Sequence, residues 1–197
     1  MNLGSDGAKI IKDHEGFSLK FYGDPKGYPT VGWGHLITSS KVYTKNTTGN
    51  PKDSLLTQAQ ADALSTSLNL GYTSPISQTK ADSFFSTDTS AAVADINALT
   101  LPAGAKLSQC QFDALVSLRF NCGRGVLDTV DVKSMLSYPQ IYSTFVGFIS
   151  TNELDYCSRL VSKAFSYDRT LQPRRNAEAT LFCSSMRYTH KYPVYTL

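Results

Sequence analysis

Glu15, Asp24 and Thr30 are the residues of this chain whose types and spacing can do chemistry. Eight residues separate the glutamate from the aspartate, and five separate the aspartate from the threonine. Around them, aromatic and β-branched residues flank Gly23-Asp24-Pro25-Lys26-Gly27, which is a hairpin signal with a longer loop. A hairpin gathers such positions around one cleft. Glu15 is expected at the end of a helix, at the negative pole of its dipole, where a carboxylate is disfavoured. Phe17 and Trp33 are apolar neighbours that can desolvate it further. Asp24 is expected on a turn beside Lys26, open to water. Two carboxylates in unlike surroundings are what glycoside hydrolysis uses, one as acid and one as base or nucleophile. The plainer alternative is a pair of solvated cap and turn residues.

The elements that must position these groups are legible from periodicity and breakers. Residues 5–15 read as a helix, with Ser5 or Asp6 as its cap, Ile10 and Ile11 on its apolar side, and Gly16 ending it. Residues 38–53 are rich in Thr, Ser, Asn, Lys and Gly and read as loop. Thr57 caps a helix from about 58 to 69, with Leu64 and Leu68 on one face. A long helix follows from Ser77 to Leu99, its stripe made by Phe85, Ala92, Ile96 and Leu99. Residues 108–122 carry Phe112, Leu115, Val116 and Phe120 in helical phase and read as a central core helix. Further helices are expected near 131–137, 139–149 and 153–165, the last with Leu154, Cys157, Val161 and Phe165 in phase. Pro173 suits the first residue of another helix that buries Ala177 and Leu181. The tail from Ser184 reads as Tyr-rich and partly extended.

The fold class is therefore α+β and mostly helical. A small N-terminal β-hairpin lobe spans about 15–76, a helix at 77–99 joins it onward, and a helical lobe spans about 100–183 together with helix 5–15. All 197 residues fit one such catalytic domain, and that length buries a core without staples.

Composition narrows the partners. The net charge is 19 − 16 = +3, which suits an anionic polymer, but no Lys/Arg run marks a nucleic-acid arm. Arg174-Arg175 is the densest basic spot. The opening residues lack the apolar core of a signal peptide. The uncharged stretch Ser134–Asn152 contains Pro139, so no membrane insertion is expected. Cys110, Cys122, Cys157 and Cys183 form no C-x-x-C and read as buried free thiols on helices, with an oxidised pairing as the alternative. Asn46-Thr47-Thr48 is a formal glycosylation sequon, read as unused. His14 and His190 read as surface histidines.

The segment HEGFSLKFYGDPKGYPTVGWGHLI, His14 to Ile37, resembles the N-terminal motif of the phage-type lysozymes, glycoside hydrolase family 24. The family pattern is Glu-Gly, an Asp eight residues on, then Thr and Gly-x-Gly-His. It stands here as Glu15-Gly16, Asp24, Thr30 and Gly32-Trp33-Gly34-His35. Three later blocks are similar to family helices: Ile76 to Asp88, Gln111 to Gly123, and Gln172 to Phe182. Residues 38–75 depart from the pattern by their length and carry an extra helix; they are read as surface decoration, with shaping the cleft rim or binding a partner as the alternatives.

The resemblance implies a lysozyme fold and a muramidase acting on peptidoglycan glycan strands as a monomer, with no cofactor, metal or nucleic acid. It implies Glu15 as general acid, Asp24 as base for an attacking water, and Thr30 as a holder of that water, with inversion at the anomeric carbon. Arg175 aligns with an arginine facing the catalytic glutamate, and Asn121 with a saccharide-lining residue; plain alternatives are a helix salt bridge and a helix cap. His35 and Asp88 align with an ion pair between hairpin and long helix. The other readings are an idle peptidoglycan-binding module, a lytic transglycosylase and a chitinase. A phage endolysin and a secreted antibacterial effector domain are equally compatible settings at the cell wall.

Overall fold

The structure is a computed structural model that describes residues 1–142, 151–166 and 171–184. The helices are α1 (Ser5–Glu15), α2 (Gln58–Leu68), α3 (Gln78–Asn97), α4 (Gln109–Cys122), α5 (Val130–Leu136), α6 (Thr151–Ala164) and α7 (Gln172–Cys183). The strands are β1 (Ser18–Gly23), β2 (Pro29–Gly32) and β3 (His35–Leu36), with short 3₁₀ turns at Pro51–Ser54, Arg124–Asp128 and Pro139–Ile141. The sheet is antiparallel in the order β1-β2-β3. The chain divides into two compact units, Ile11–Ala91 and a discontinuous one made of Met1–Ile10 with Ala92–Leu197. Of the expected helix at 139–149, only the turn Pro139–Ile141 lies among the described residues. The tail beyond Ser184 and His190 lie outside them.

The unit Ile11–Ala91 is built on the sheet. Gly32 and Gly34 have φ of +66° and +81°, and these left-handed turns let β2 fold back as β3. The expected hairpin, β1 and β2, thus extends to the small sheet by a third strand. Tyr22 pairs with Thr30 across β1 and β2, and Val31 pairs with His35 across β2 and β3. The outer edge of β1 is not left open. Leu56 N–H donates to Phe21 O at 2.9 Å, Ile76 N–H to Leu19 O at 2.9 Å, and Phe21 N–H to the Ser74 hydroxyl at 3.1 Å. The long segment after the hairpin thus closes the sheet, which satisfies backbone groups an edge strand would expose. Thr57 caps α2 with Gln60 in a reciprocal capping box, and Asn69 ends it in the left-handed region. Phe21, Val31, Leu64, Ile76 and Ala81 fill the core of this unit.

In the other unit α4 is the central helix. Every side chain from Gln111 to Leu118 is buried, including the polar Gln111, Asp113 and Ser117, each of which has a hydrogen-bond partner. Phe120 is only half-buried. The start of α1 departs from expectation. Ser5 is already its first residue, and N–H groups at its beginning are held from another helix. Gly4 N–H and Gly7 N–H donate to the Asp113 carboxylate of α4 at 2.8 and 3.3 Å. The glycines explain why: a Cβ on Gly7 would stand 2.7 Å from Asp113 Cβ.

The buried stripe of α7 also departs from expectation. Ala177 and Leu181 are half-buried, while Arg174, Arg175, Glu178 and Phe182 turn inward. Glu178 Oε1 accepts from Ser117 Oγ at 2.6 Å, Arg174 Nε at 3.2 Å and Arg175 Nη2 at 3.1 Å. Burial pushes the Glu178 carboxyl up, and Arg175, the Ser117 hydroxyl and Arg174 pull it back. Removing one partner of a buried ionic cluster leaves uncompensated charge. Glu178→Gln is therefore expected to destabilise the protein by about 3–5 kcal/mol, read by denaturant unfolding at neutral pH. A loss below about 1 kcal/mol would show that the arginines do not depend on it.

Candidate active site

The last residue of α1 is Glu15, half-buried, and Gly16 follows at φ +71°. Gly34 meets it from the β2–β3 turn: a Cβ there would lie 3.5 Å from Glu15 Oε2. That distance is an ordinary contact, so it is the φ of +81°, and not the approach to the carboxylate, that calls for glycine at 34. Asp24 heads the β1–β2 loop. Its Oδ1 accepts from Lys26 N–H and Tyr28 N–H, both at 2.8 Å. Its own N–H donates to Tyr28 O at 2.8 Å, and its carbonyl accepts from Gly27 N–H at 2.9 Å. Such an Asx-type arrangement is how a short acidic side chain fixes a turn.

Thr30 is 3% exposed, and its hydroxyl donates to Tyr28 O at 3.0 Å. With its proton committed, the Thr30 oxygen can only accept. Tyr28 is thus a hub: its N–H holds the Asp24 side chain and its carbonyl orients the Thr30 hydroxyl. This is a backbone role that no side-chain motif announces.

Tyr22 was not among the residues marked by the sequence, yet it belongs here. It is 4% exposed and sits opposite Thr30 in the sheet. Burial, and after it the charge of Glu15, pushes its phenol up to about 12; a hydrogen bond from the Gly34 backbone opposes this, and Asp24 adds to the rise. A backbone bond that lowers a phenol's pKa favours its charged form, so Gly34 N–H is the donor and the Tyr22 oxygen accepts.

Trp33 does not present a free face. Phe17 lies 4.4 Å from it, and the Lys12 ammonium stands 3.7 Å above its ring while also pairing with Asp82 at 3.1 Å. The tryptophan packs within its unit, between α1 and the hairpin. His35 Nδ1 lies 3.0 and 3.1 Å from the two oxygens of Asp88, and its ring stacks on Phe84 at 3.8 Å. The structure brings hairpin and α3 together through this contact.

In the other unit, Arg175 is fully buried. It donates to Asn121 Oδ1 at 3.0 Å, to Cys122 Sγ at 2.9 Å and to Glu178. The Arg175 guanidinium is thus held against the last residues of α4 and against Glu178 within its own unit. Burial raises the Cys122 thiol, with Arg175 opposing. All four cysteines are free and helical, Cys157 buried and the others half-buried. Among the described residues no cluster of three His, Cys, Asp or Glu has the arrangement of metal ligands.

The model of the phage lysozyme family matches residues 12–145. The chain belongs to that family. This lysozyme-family chain is 28% identical over 184 residues to the endolysin of Salmonella phage P22, across 93% of itself and 99% of that protein. Its fold is similar to the crystal structure of a P22 lysozyme point mutant, with a TM-score of 0.56 at 25% identity over 93% of this chain and 99% of the other. The endolysin of Escherichia coli O157:H7 phage FAHEc1 shares the fold, with a TM-score of 0.57 at 21% identity over 94% and 95% of the two chains. The mostly helical architecture with a small antiparallel sheet is the lysozyme-like fold.

Two outcomes are expected. The unfolded Tyr22 phenol ionises near its ordinary value of 10, while the folded one holds its proton to about 12. The unfolded state therefore binds fewer protons in that window, and stability falls as pH rises through it. Tyr22→Phe should flatten this alkaline loss by on the order of 2 kcal/mol, measured by denaturant midpoints at stepped alkaline pH. A slope identical to wild type would contradict the burial of the phenol. A double-mutant cycle of His35→Asn with Asp88→Asn should give a coupling of about 0.5–3 kcal/mol in thermal unfolding. Strictly additive losses would mean the contact contributes nothing.

Proposed function

We propose that Glu15, Asp24 and Thr30 carry out the reaction of this muramidase, the hydrolysis of the β-1,4 bond between N-acetylmuramic acid and N-acetylglucosamine in peptidoglycan. The observation that carries the reading is the Asp24–Tyr28–Thr30 arrangement. Asp24 is anchored by Oδ1 to two backbone N–H groups, so its other oxygen keeps its lone pairs for a water. The Thr30 oxygen is acceptor-only because its proton goes to Tyr28 O. A water between them donates one hydrogen to each, and its own lone pair is left to attack carbon. Asp24 takes the proton as the bond to the anomeric carbon forms. Glu15 delivers its proton to the departing glycosidic oxygen as that bond breaks.

A water attacking on the face opposite the leaving group inverts the anomeric carbon in one displacement, and the resemblance to glycoside hydrolase family 24 supports this inverting course. Asn121, oriented by Arg175, is the saccharide contact supplied by α4, and the mild positive charge suits an anionic wall polymer. The cell wall of a bacterium is the place of action, and the chain works there as a monomer. No helix among the described residues is long and apolar enough to cross a membrane.

Glu15→Gln keeps the shape of the acid but has no proton to give. It should lower the release of reducing muramic ends from purified peptidoglycan by about 10²–10⁴-fold while thermal unfolding stays cooperative. Asp24→Asn should fall comparably. Nuclear magnetic resonance of products at short times should show the inverted anomer. Retention would refute the single displacement, anhydro-muramic ends would indicate a transglycosylase, and full activity in folded Glu15→Gln would remove the acid from its role.

A further inference from the structure

We propose that the segment from Val42 to Ser54 is a strap that positions Asp24 for catalysis, so that this part of the long insertion after the hairpin is catalytic equipment and not surface decoration. The proposal rests on the reading of Asp24 as the base. Three bonds run from this segment to the β1–β2 loop. Tyr43 N–H donates to Gly27 O at 2.7 Å, Asn46 N–H donates to Asp24 O at 2.9 Å, and the Ser54 hydroxyl donates to Gly23 O at 2.9 Å. They meet the loop before, at and after the aspartate. Asn46 itself is 5% exposed although the segment around it is polar, so its place against the loop is defined.

The loop side of the contact is shaped for the strap. A Cβ on Gly23 would fall 1.9 Å from the Thr44 carbonyl oxygen, closer than any real contact. A Cβ on Gly27 would fall 2.6 Å from Val42 Cγ1 and 2.8 Å from Tyr43 O, at a φ of +91° that already requires glycine. The two glycines bracketing Asp24 therefore serve an approach of backbone to backbone that exists only because the strap lies there. The far end of the strap is tied down in turn. The Thr48 hydroxyl lies 2.5 Å from Asp53 Oδ2 and 3.3 Å from Asn46 Oδ1, and Asn50 N–H donates to the same hydroxyl at 3.2 Å. Pro51–Ser54 then forms its 3₁₀ turn, and Leu56 joins the edge of β1.

The loop's own bonds hold the aspartate side chain to the turn. The strap's bonds hold the turn to the sheet. Without them, Asp24 keeps its local conformation and the whole loop shifts relative to Thr30. Sub-ångström placement of a catalytic group controls kcat more than ground-state binding, and a shift of about 1 Å can cost on the order of 10²-fold.

The test is Asn46→Pro, which deletes the N–H to Asp24 O. It is assayed on soluble peptidoglycan glycan fragments beside wild type, Asp24→Asn and the double variant, each checked by thermal unfolding. The strap predicts a kcat lower by on the order of tenfold or more with KM within about twofold, because the group moved acts in the transition state. It also predicts no further loss when Asn46→Pro is added to Asp24→Asn. Wild-type kcat in folded Asn46→Pro overturns the strap, and so does an equal, additive loss in the Asp24→Asn background. Wild-type activity in Asp24→Asn overturns the base assignment, a different failure. If Asn46→Pro does not fold, Thr48→Val and Thr48→Ser decide: a lowered kcat in the valine variant restored by the serine variant supports the strap, and equal kcat in all three proteins overturns it.

Discussion

The Asp24 turn is the constraint around which the sheet unit is organised. One aspartate closes its own loop with both its side chain and its main chain. It does so by dividing its atoms: Oδ1 goes to Lys26 and Tyr28, the main-chain N–H to Tyr28, and the carbonyl to Gly27 and Asn46. Buried polar groups that are fully partnered rigidify a structure, whereas half-partnered ones weaken it. The positions of Gly23, Gly27, Tyr28 and Thr30 follow from that division. So does the pairing of Tyr22 with Thr30, which buries a phenol within reach of the Glu15 and Asp24 charges.

The α4–α7 unit solves an opposite electrostatic problem. Arg174, Arg175 and Glu178 sum to one buried positive charge. Isolated, such a charge is prohibitive in a low-dielectric interior. Here it is spread over the Ser117 carbonyl, the Asn121 amide oxygen and the Cys122 sulfur. Asn121 and Cys122 are the final residues of α4, so the guanidinium also faces the negative pole of that helix, which favours a cation. The sheet unit thus disposes carboxylates at half-exposed loop and helix ends, and the helical unit keeps its cations inside against a helix terminus.

Much of this was readable in the residues. The cap at Thr57, the breaker at Gly16, and the apolar phase of α3 and α4 declare their elements locally. What escaped is non-local. Asp113 caps α1 from about a hundred positions away, and no pattern near Ser5 announces it. The α7 stripe was misplaced because periodicity counts Arg and Glu as outward-facing, and only their partners on α4 make burial affordable. Residues 42–48 looked like loop because they are polar. Their order comes from backbone bonds to another loop, which depend on side-chain type only through the two glycines that make room. Tyr22 was hidden for a related reason: its aromatic ring reads as ordinary strand core, and the carboxylates near it come from other elements.

The docking of Gly4 and Gly7 onto Asp113 has a consequence in time. The first ten residues belong to a unit whose remainder begins at Ala92, and their carboxylate partner lies 106 positions beyond Gly7. At roughly 5–20 residues per second, a ribosome takes on the order of 5–20 s to make Asp113 after Gly7. The intervening sheet unit is complete in sequence well before then. Residues 1–10 can therefore complete their contacts with Asp113 only after the sheet unit has left the ribosome's decoding site.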